Sequence, residues 1–147
     1  MLKVTITSKP GVPYQHELTA RGHTVVADVA ADLNGGDTGA TPHELALMAL
    51  GTCGAMTLQM FAEKSKIPVT AVRCTVTEDT VADPADASKT IPRITEAYEV
   101  EGTGLTQAQL DSLARVAKKC PVAKLFTGNK VLDATVTVAP TKAAVTP

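Results

Sequence analysis

Aromatic side chains are scarce, with two Tyr, two Phe and no Trp in 147 residues. Base-stacking platforms and sugar-stacking clefts both depend on exposed rings, so neither is expected, and the core must be aliphatic. A surplus of charge of one sign is missing too. Fourteen Lys and Arg stand against fifteen Asp and Glu, a net charge of -1, which supplies no electrostatic attraction toward nucleic acid or an anionic membrane. No basic, apolar leader opens the chain, because residues 1–6 alternate apolar and polar in the manner of a strand, and the expectation is a cytoplasmic protein. The cysteines number three. An odd count suits free or redox-active thiols better than a disulfide framework. The longest apolar stretch, residues 45–61, is interrupted by Gly51, Thr52, Cys53, Gly54, Thr57 and Gln59, and reads as too short and too polar for a membrane span. A helix buried on nearly all sides is expected in its place.

What is present is enough apolar material for one core. At 147 residues and 44% hydrophobic, a single domain over residues 1–147 is expected. Residues 1–40 read as N-terminal strands and a Gly-rich loop, residues 41–138 as helix, hairpin, helix and strand, and residues 139–147 as a loose tail of small residues. Leu2, Val4 and Ile6 alternate, as do Tyr14, His16 and Leu18, and residues 23–29 form a third run after the Arg21-Gly22 turn. Thr41, Pro42 and Glu44 resemble an N-cap, a proline at the first helical position and the glutamate of a capping box. The long helix they start should end near Lys66, ahead of Pro68. Period two returns at Val72, Cys74 and Val76, a polar turn is expected over residues 82–88, and Ile94, Glu96, Tyr98 and Val100 form the returning strand. Thr106 caps a second helix carrying Leu110, Leu113 and Ala117, which Cys120-Pro121 breaks before a helical turn over residues 122–126. Residues 131–138 alternate as a last strand. The order is α+β with largely antiparallel sheets and no βαβ unit.

Few residue groups carry chemistry. The run Gly35-Gly36-Asp37-Thr38-Gly39 precedes a helix but lacks the Gly-Lys-Ser/Thr ending of a phosphate loop, and reads as a mobile loop. His16, His23 and His43 show no metal-ligand spacing with one another or with the cysteines, so no metal site is expected. Cys74 shares the apolar face of its strand and reads as a small hydrophobe. Cys53 sits mid-helix between Thr52 and Gly54, whose small side chains, with Gly51, would let a substrate or another segment approach the sulfur. Cys120 follows Lys118-Lys119 at the start of a new turn, where positive charge and free N–H groups would lower its pKa. Both also fit buried structural cysteines, and composition does not separate the two.

Taken in order, Pro42-His43-Glu44-Leu45, then Ala49-Leu50-Gly51-Thr52-Cys53, then Cys120-Pro121-Val122 after a helix resemble the OsmC/Ohr family of thiol peroxidases. The Gly-rich loop and the continuation from Met56 to Ala62 resemble its broad OsmC-like branch. The resemblance spans nearly the whole chain. It implies an OsmC-like fold, antiparallel sheets around a long central helix, and an intertwined homodimer with active sites at the subunit interface. It also implies reduction of small organic hydroperoxides without metal, haem or flavin. Cys53 would be the peroxidatic thiolate and Cys120 the resolving thiol, with an external dithiol, a lipoyl group for instance, as reductant. Arg21 would be the activating cation. The family carries a carboxylate directly after the helix-start proline, and His43 stands there in this chain, with Glu44 one position later. At ~1.5 Å per residue, Glu44 and Cys53 are roughly 13 Å apart along the helix, so any pairing must cross a dimer. Glu44 reads more readily as the capping-box residue than as a catalytic acid, and Arg21 equally as a plain turn residue. The other function open to this fold is a non-enzymatic ligand-binding or redox-sensing dimer.

Overall fold

The computed structural model describes residues 1–117 and 119–127. The strand expected over residues 131–138 and the tail over residues 139–147 lie outside the described residues. Three short strands, β1 (Thr5–Ser8), β2 (His16–Ala20) and β3 (His23–Ala27), form an antiparallel sheet in that order. The register pairs Ile6 with Leu18 and Leu18 with Val25, so one face carries the apolar residues. Arg21 and Gly22 make the tight turn between β2 and β3, both with positive φ.

Beyond β3 the Gly-rich loop is pinned, contrary to the mobile loop expected. Asp28, 1% exposed, collects four donors: the backbone N–H groups of Val29 (2.7 Å), Gly36 (3.4 Å) and Thr38 (3.1 Å), and the Thr38 hydroxyl (2.6 Å). The Gln15 amide donates in turn to Thr38. Those bonds hold the Asp28 carboxyl down to about 2, led by the Thr38 hydroxyl and opposed by burial. A parallel bridge from Ala27 to Ala40 then delivers the chain to the first helix.

Helix α1 (Pro42–Lys64) starts as the sequence predicts. Thr41 N–H donates to Glu44 Oε2 (2.8 Å) and Glu44 N–H donates to Thr41 Oγ1 (3.3 Å), a complete capping box with Pro42 at the first position. Its 23 residues are long and apolar enough to cross a membrane by length and composition, which corrects the expectation drawn from residues 45–61 alone. Its environment also differs from the expected all-round burial. Leu50, Gly51, Gly54, Leu58 and Ala62 are buried, while Met48, Met56 and Met60 are exposed.

The buried face lies on a long hairpin, β4 (Val69–Asp83) and β5 (Asp86–Gly102), antiparallel throughout. Most of the polar turn expected over residues 82–88 is strand, leaving only residues 84–85 as the turn. Pairing of Ala82 with Thr90 and of Asp83 with Asp86 overrides the weak strand propensity of Asp there. Helix α2 (Gln107–Ala117) is capped by Thr106 and Gln109 and adds Leu113 to a core of Leu58, Ala62 and Ile67, with Phe61, Tyr98 and Val100 packed around it. A short turn, α3 (Ala123–Phe126), follows Cys120-Pro121.

Candidate thiol site

Cys53 and Cys120 are 67 positions apart in the chain, yet the fold brings them together: Pro121, the residue after Cys120, walls the same groove as Cys53. Two elements bring them together. The core packing of Leu113 and Ala117 lays α2 beside α1, and Pro121, unable to continue a helix, turns the chain just after α2 so that Cys120 is 1% exposed beneath α1. Cys53 is half-buried and opens onto a groove of about 610 Å³ bounded by Leu45, Met48, Met56, Met60 and Pro121. A molecule entering the groove therefore meets the Cys53 sulfur first.

Electrostatics separates the two thiols. Burial pushes the Cys120 thiol up, and the neighbouring Cys53 thiol pushes it further. The N–H groups of Ala123 and Val122 oppose both and lose. The lowered pKa expected from Lys118, Lys119 and the turn is thus overturned in direction. The amide donors are there, but desolvation of a nearly inaccessible sulfur outweighs them. All three cysteines are free thiols.

The other sequence-predicted residues are placed apart from this pair. Arg21 is exposed in the β2–β3 turn at φ 51°, and no ion pair or hydrogen bond among the described residues joins it to Cys53. Nor is any described wall residue of the Cys53 groove an acidic or basic side chain. His43 Nε2 donates to Glu78 Oε2 of β4 at 2.8 Å on the surface. Glu44 is engaged in the capping box, and its carboxyl is held below the usual range by the Thr41 N–H and hydroxyl. No group of three or more His, Cys, Asp or Glu side chains converges among the described residues.

The small residues around Cys53 serve a different purpose from the one expected. Gly51 and Gly54 face the hairpin rather than the groove. A Cβ on Gly51 would fall 2.6 Å from Val76 Cγ2 and 3.2 Å from Cys74 Sγ. Behind Gly54, the Tyr98 hydroxyl donates to Glu96 Oε1 (2.6 Å). Burial pushes the Cys74 thiol up, in keeping with its reading as a structural residue. The sequence reading missed Tyr98, Glu78 and Asp28. Asp28 left no spacing signal, but a Tyr at the inward position of a strand facing a glycine pair one helix turn apart was a signal that could have been used.

The OsmC-like protein family profile matches residues 35–135, more than half of the chain. The chain belongs to the OsmC family. A comparison with curated proteins finds no match, so the individual likenesses are structural. An OsmC-like protein from Mycoplasma pneumoniae superposes with a TM-score of 0.68 at 16% identity, covering 86% of each chain. An organic hydroperoxide resistance protein OsmC from Legionella pneumophila gives 0.60 at 19%, covering 88% of this chain and 90% of that one. One from Elizabethkingia anophelis, with thiocyanate bound, gives 0.62 at 16%, covering 88% and 89%. The α+β OsmC-like fold is the expected one, antiparallel sheets around a long central helix.

Proposed function

We propose that this OsmC-family protein is a thiol-dependent peroxidase that reduces small organic hydroperoxides in the cytoplasm. The observation that carries the reading is the placement of the two thiols, Cys53 lining an apolar groove that Pro121 also walls, and Cys120, the residue before that proline, shielded from solvent. The Cys53 thiolate attacks the outer oxygen of the hydroperoxide, the O–O bond breaks, and the alkoxide takes a proton and leaves as an alcohol. Cys53 becomes a sulfenic acid. The Cys120 sulfur then attacks it, water departs, and a disulfide of about 2.05 Å forms. An external dithiol, a lipoyl group for instance, takes the two oxidising equivalents. Arg21 is the candidate for the activating cation, delivered by a second copy in a homodimer. The names of the Legionella and Elizabethkingia proteins, which speak of hydroperoxide resistance, support the substrate class.

A second reading, a ligand-binding or redox-sensing dimer without fast turnover, is favoured by one observation. His43 occupies the position where the family carries a carboxylate, and its imidazole is taken up by Glu78. Stopped-flow thiol loss with one equivalent of cumene hydroperoxide separates the two. Rapid loss of two thiols, none in Cys53→Ser, and a trapped sulfenic acid in Cys120→Ser support the peroxidase. Slow loss, or loss that persists in Cys53→Ser, supports the sensor.

A further inference from the structure

The chain has four methionines: Met1, Met48, Met56 and Met60. All three internal ones lie on one stripe of α1, Met56 and Met60 on successive turns at the i, i+4 spacing, and all three wall the groove that holds Cys53. Met48 and Met56 also wall a second groove of about 480 Å³ on the other flank, which reaches Cys74. They therefore form a ridge between two thiols. Their exposure is high, 55% for Met48, 57% for Met56 and 70% for Met60, against 118% for Met1.

A thioether is the soft, adaptable wall that suits apolar ligands of varied shape. It is also oxidisable by the molecules this groove would hold. From this placement we propose that Met56 and Met60 are a second oxidation site, where surplus organic hydroperoxide converts the groove wall to methionine sulfoxide and weakens further binding of apolar peroxide. The proposal rests on the peroxidase reading of the groove for its biological meaning, and supplies the regulation of that site. In the step, the thioether sulfur attacks the outer oxygen of the hydroperoxide, an S–O bond forms and the O–O bond breaks. The hydroxyl proton passes to the departing alkoxide. Sulfur is oxidised by two electrons, and the peroxide is reduced to the alcohol. Each sulfoxide places a strong dipole where an apolar surface stood, and so lowers the transfer free energy of an apolar guest.

Met1 is a built-in reference, because it is the most exposed methionine and is not a wall residue of the Cys53 groove. The whole protein, in parent and Cys53→Ser forms, is treated with cumene hydroperoxide and, in parallel, with hydrogen peroxide. Free thiols are counted, and sulfoxide at each methionine is quantified by peptide mass spectrometry. With cumene hydroperoxide, Met56 and Met60 should be oxidised on the order of fivefold faster than Met1 in both forms. With hydrogen peroxide, which gains nothing from an apolar groove, Met1 should lead. Pre-oxidised parent should then show a several-fold higher KM for cumene hydroperoxide, absent in the Met56→Leu/Met60→Leu protein. If Met1 leads with both oxidants, or if pre-oxidation leaves the KM of an active parent unchanged, the proposal is overturned whether or not Cys53 reacts. If instead Met56 and Met60 lead while thiol loss is slow or independent of Cys53, the peroxidase reading fails and the methionine site stands.

Discussion

A Cβ built on Gly54 would lie 1.7 Å from the Tyr98 hydroxyl oxygen and 3.2 Å from Glu96 Oε1. Alanine at this position favours the helix by about 1 kcal/mol, but the overlap costs about 1–3 kcal/mol. Displacing Tyr98 also gives up a hydrogen bond of about 1 kcal/mol. The overlap wins, so Gly54→Ala should lower stability by about 1–3 kcal/mol in urea unfolding. Adding Tyr98→Phe should return part of the loss, since the hydroxyl makes the shortest overlap; a double variant no better than the single one would count against this account. A second prediction concerns Cys120. Its thiol is pushed up by burial and by Cys53, so only a small fraction is thiolate at pH 7. Disulfide closure after a single peroxide pulse should therefore speed up as pH rises through and above about 8.5, the ordinary thiol range, while the first thiol-oxidation step keeps its own pH dependence. Closure that is fastest near pH 6 would contradict the assignment.

Two devices at the element scale hold the start of α1. The capping box is local, and Thr41→Ala should cost about 1 kcal/mol of stability, with Glu44→Gln costing less because glutamine can still accept from the Thr41 N–H. Thermal melts of the two variants test the order. The Asp28 clamp is tertiary, tying residues 36–38 to the end of β3. Its folded carboxyl sits at about 2, below an unfolded value of about 3.9, so the unfolded state binds the proton first as pH falls. The clamp's contribution is thus fully present above about pH 4 and is lost as pH drops toward 2. Asp28→Asn should flatten that part of the stability–pH profile, and an unchanged slope between pH 4 and 2 would rule the clamp out as its source. The cap was readable from Thr41-Pro42 and Glu44 because both partners lie within one turn. The clamp was not, since Gln15, Asp28 and Thr38 are brought together only by the β2–β3 register.

For the whole molecule, uncovered apolar surface is the dominant feature. Ile6 and Val25 share one face of the N-terminal sheet, and Val4 and Leu33 are also exposed, the kind of apolar surface that marks an interface. Burial against a second copy is the economical solution, and the melting temperature should then rise with protein concentration. Sedimentation equilibrium should give a dimer, weakened on the order of tenfold or more by Ile6→Lys if that face lies within the interface, from the loss of about 1.5–3 kcal/mol of apolar burial per copy. A concentration-independent melt together with a monomer mass would remove the dimer, and with it the route by which Arg21 could reach Cys53.

The sequence by itself determined what depends on neighbours along the chain: the cap at Thr41, the period-two run at Val72, Cys74 and Val76, the break at Pro121, and an ordered motif set that resembles one family. Each of these rests on backbone geometry within a few residues or on a pattern preserved in linear order. Which cysteine faces the groove, which is shut away, and which way burial moves the Cys120 thiol were decided only by the tertiary structure. Solvent access and desolvation belong to the packing of α1, α2 and the hairpin together, and no spacing encodes them. The same holds for Gly51 and Gly54, whose small size was visible at once but whose use, admitting Val76 and Tyr98 rather than a substrate, followed from the side of the helix the hairpin covers.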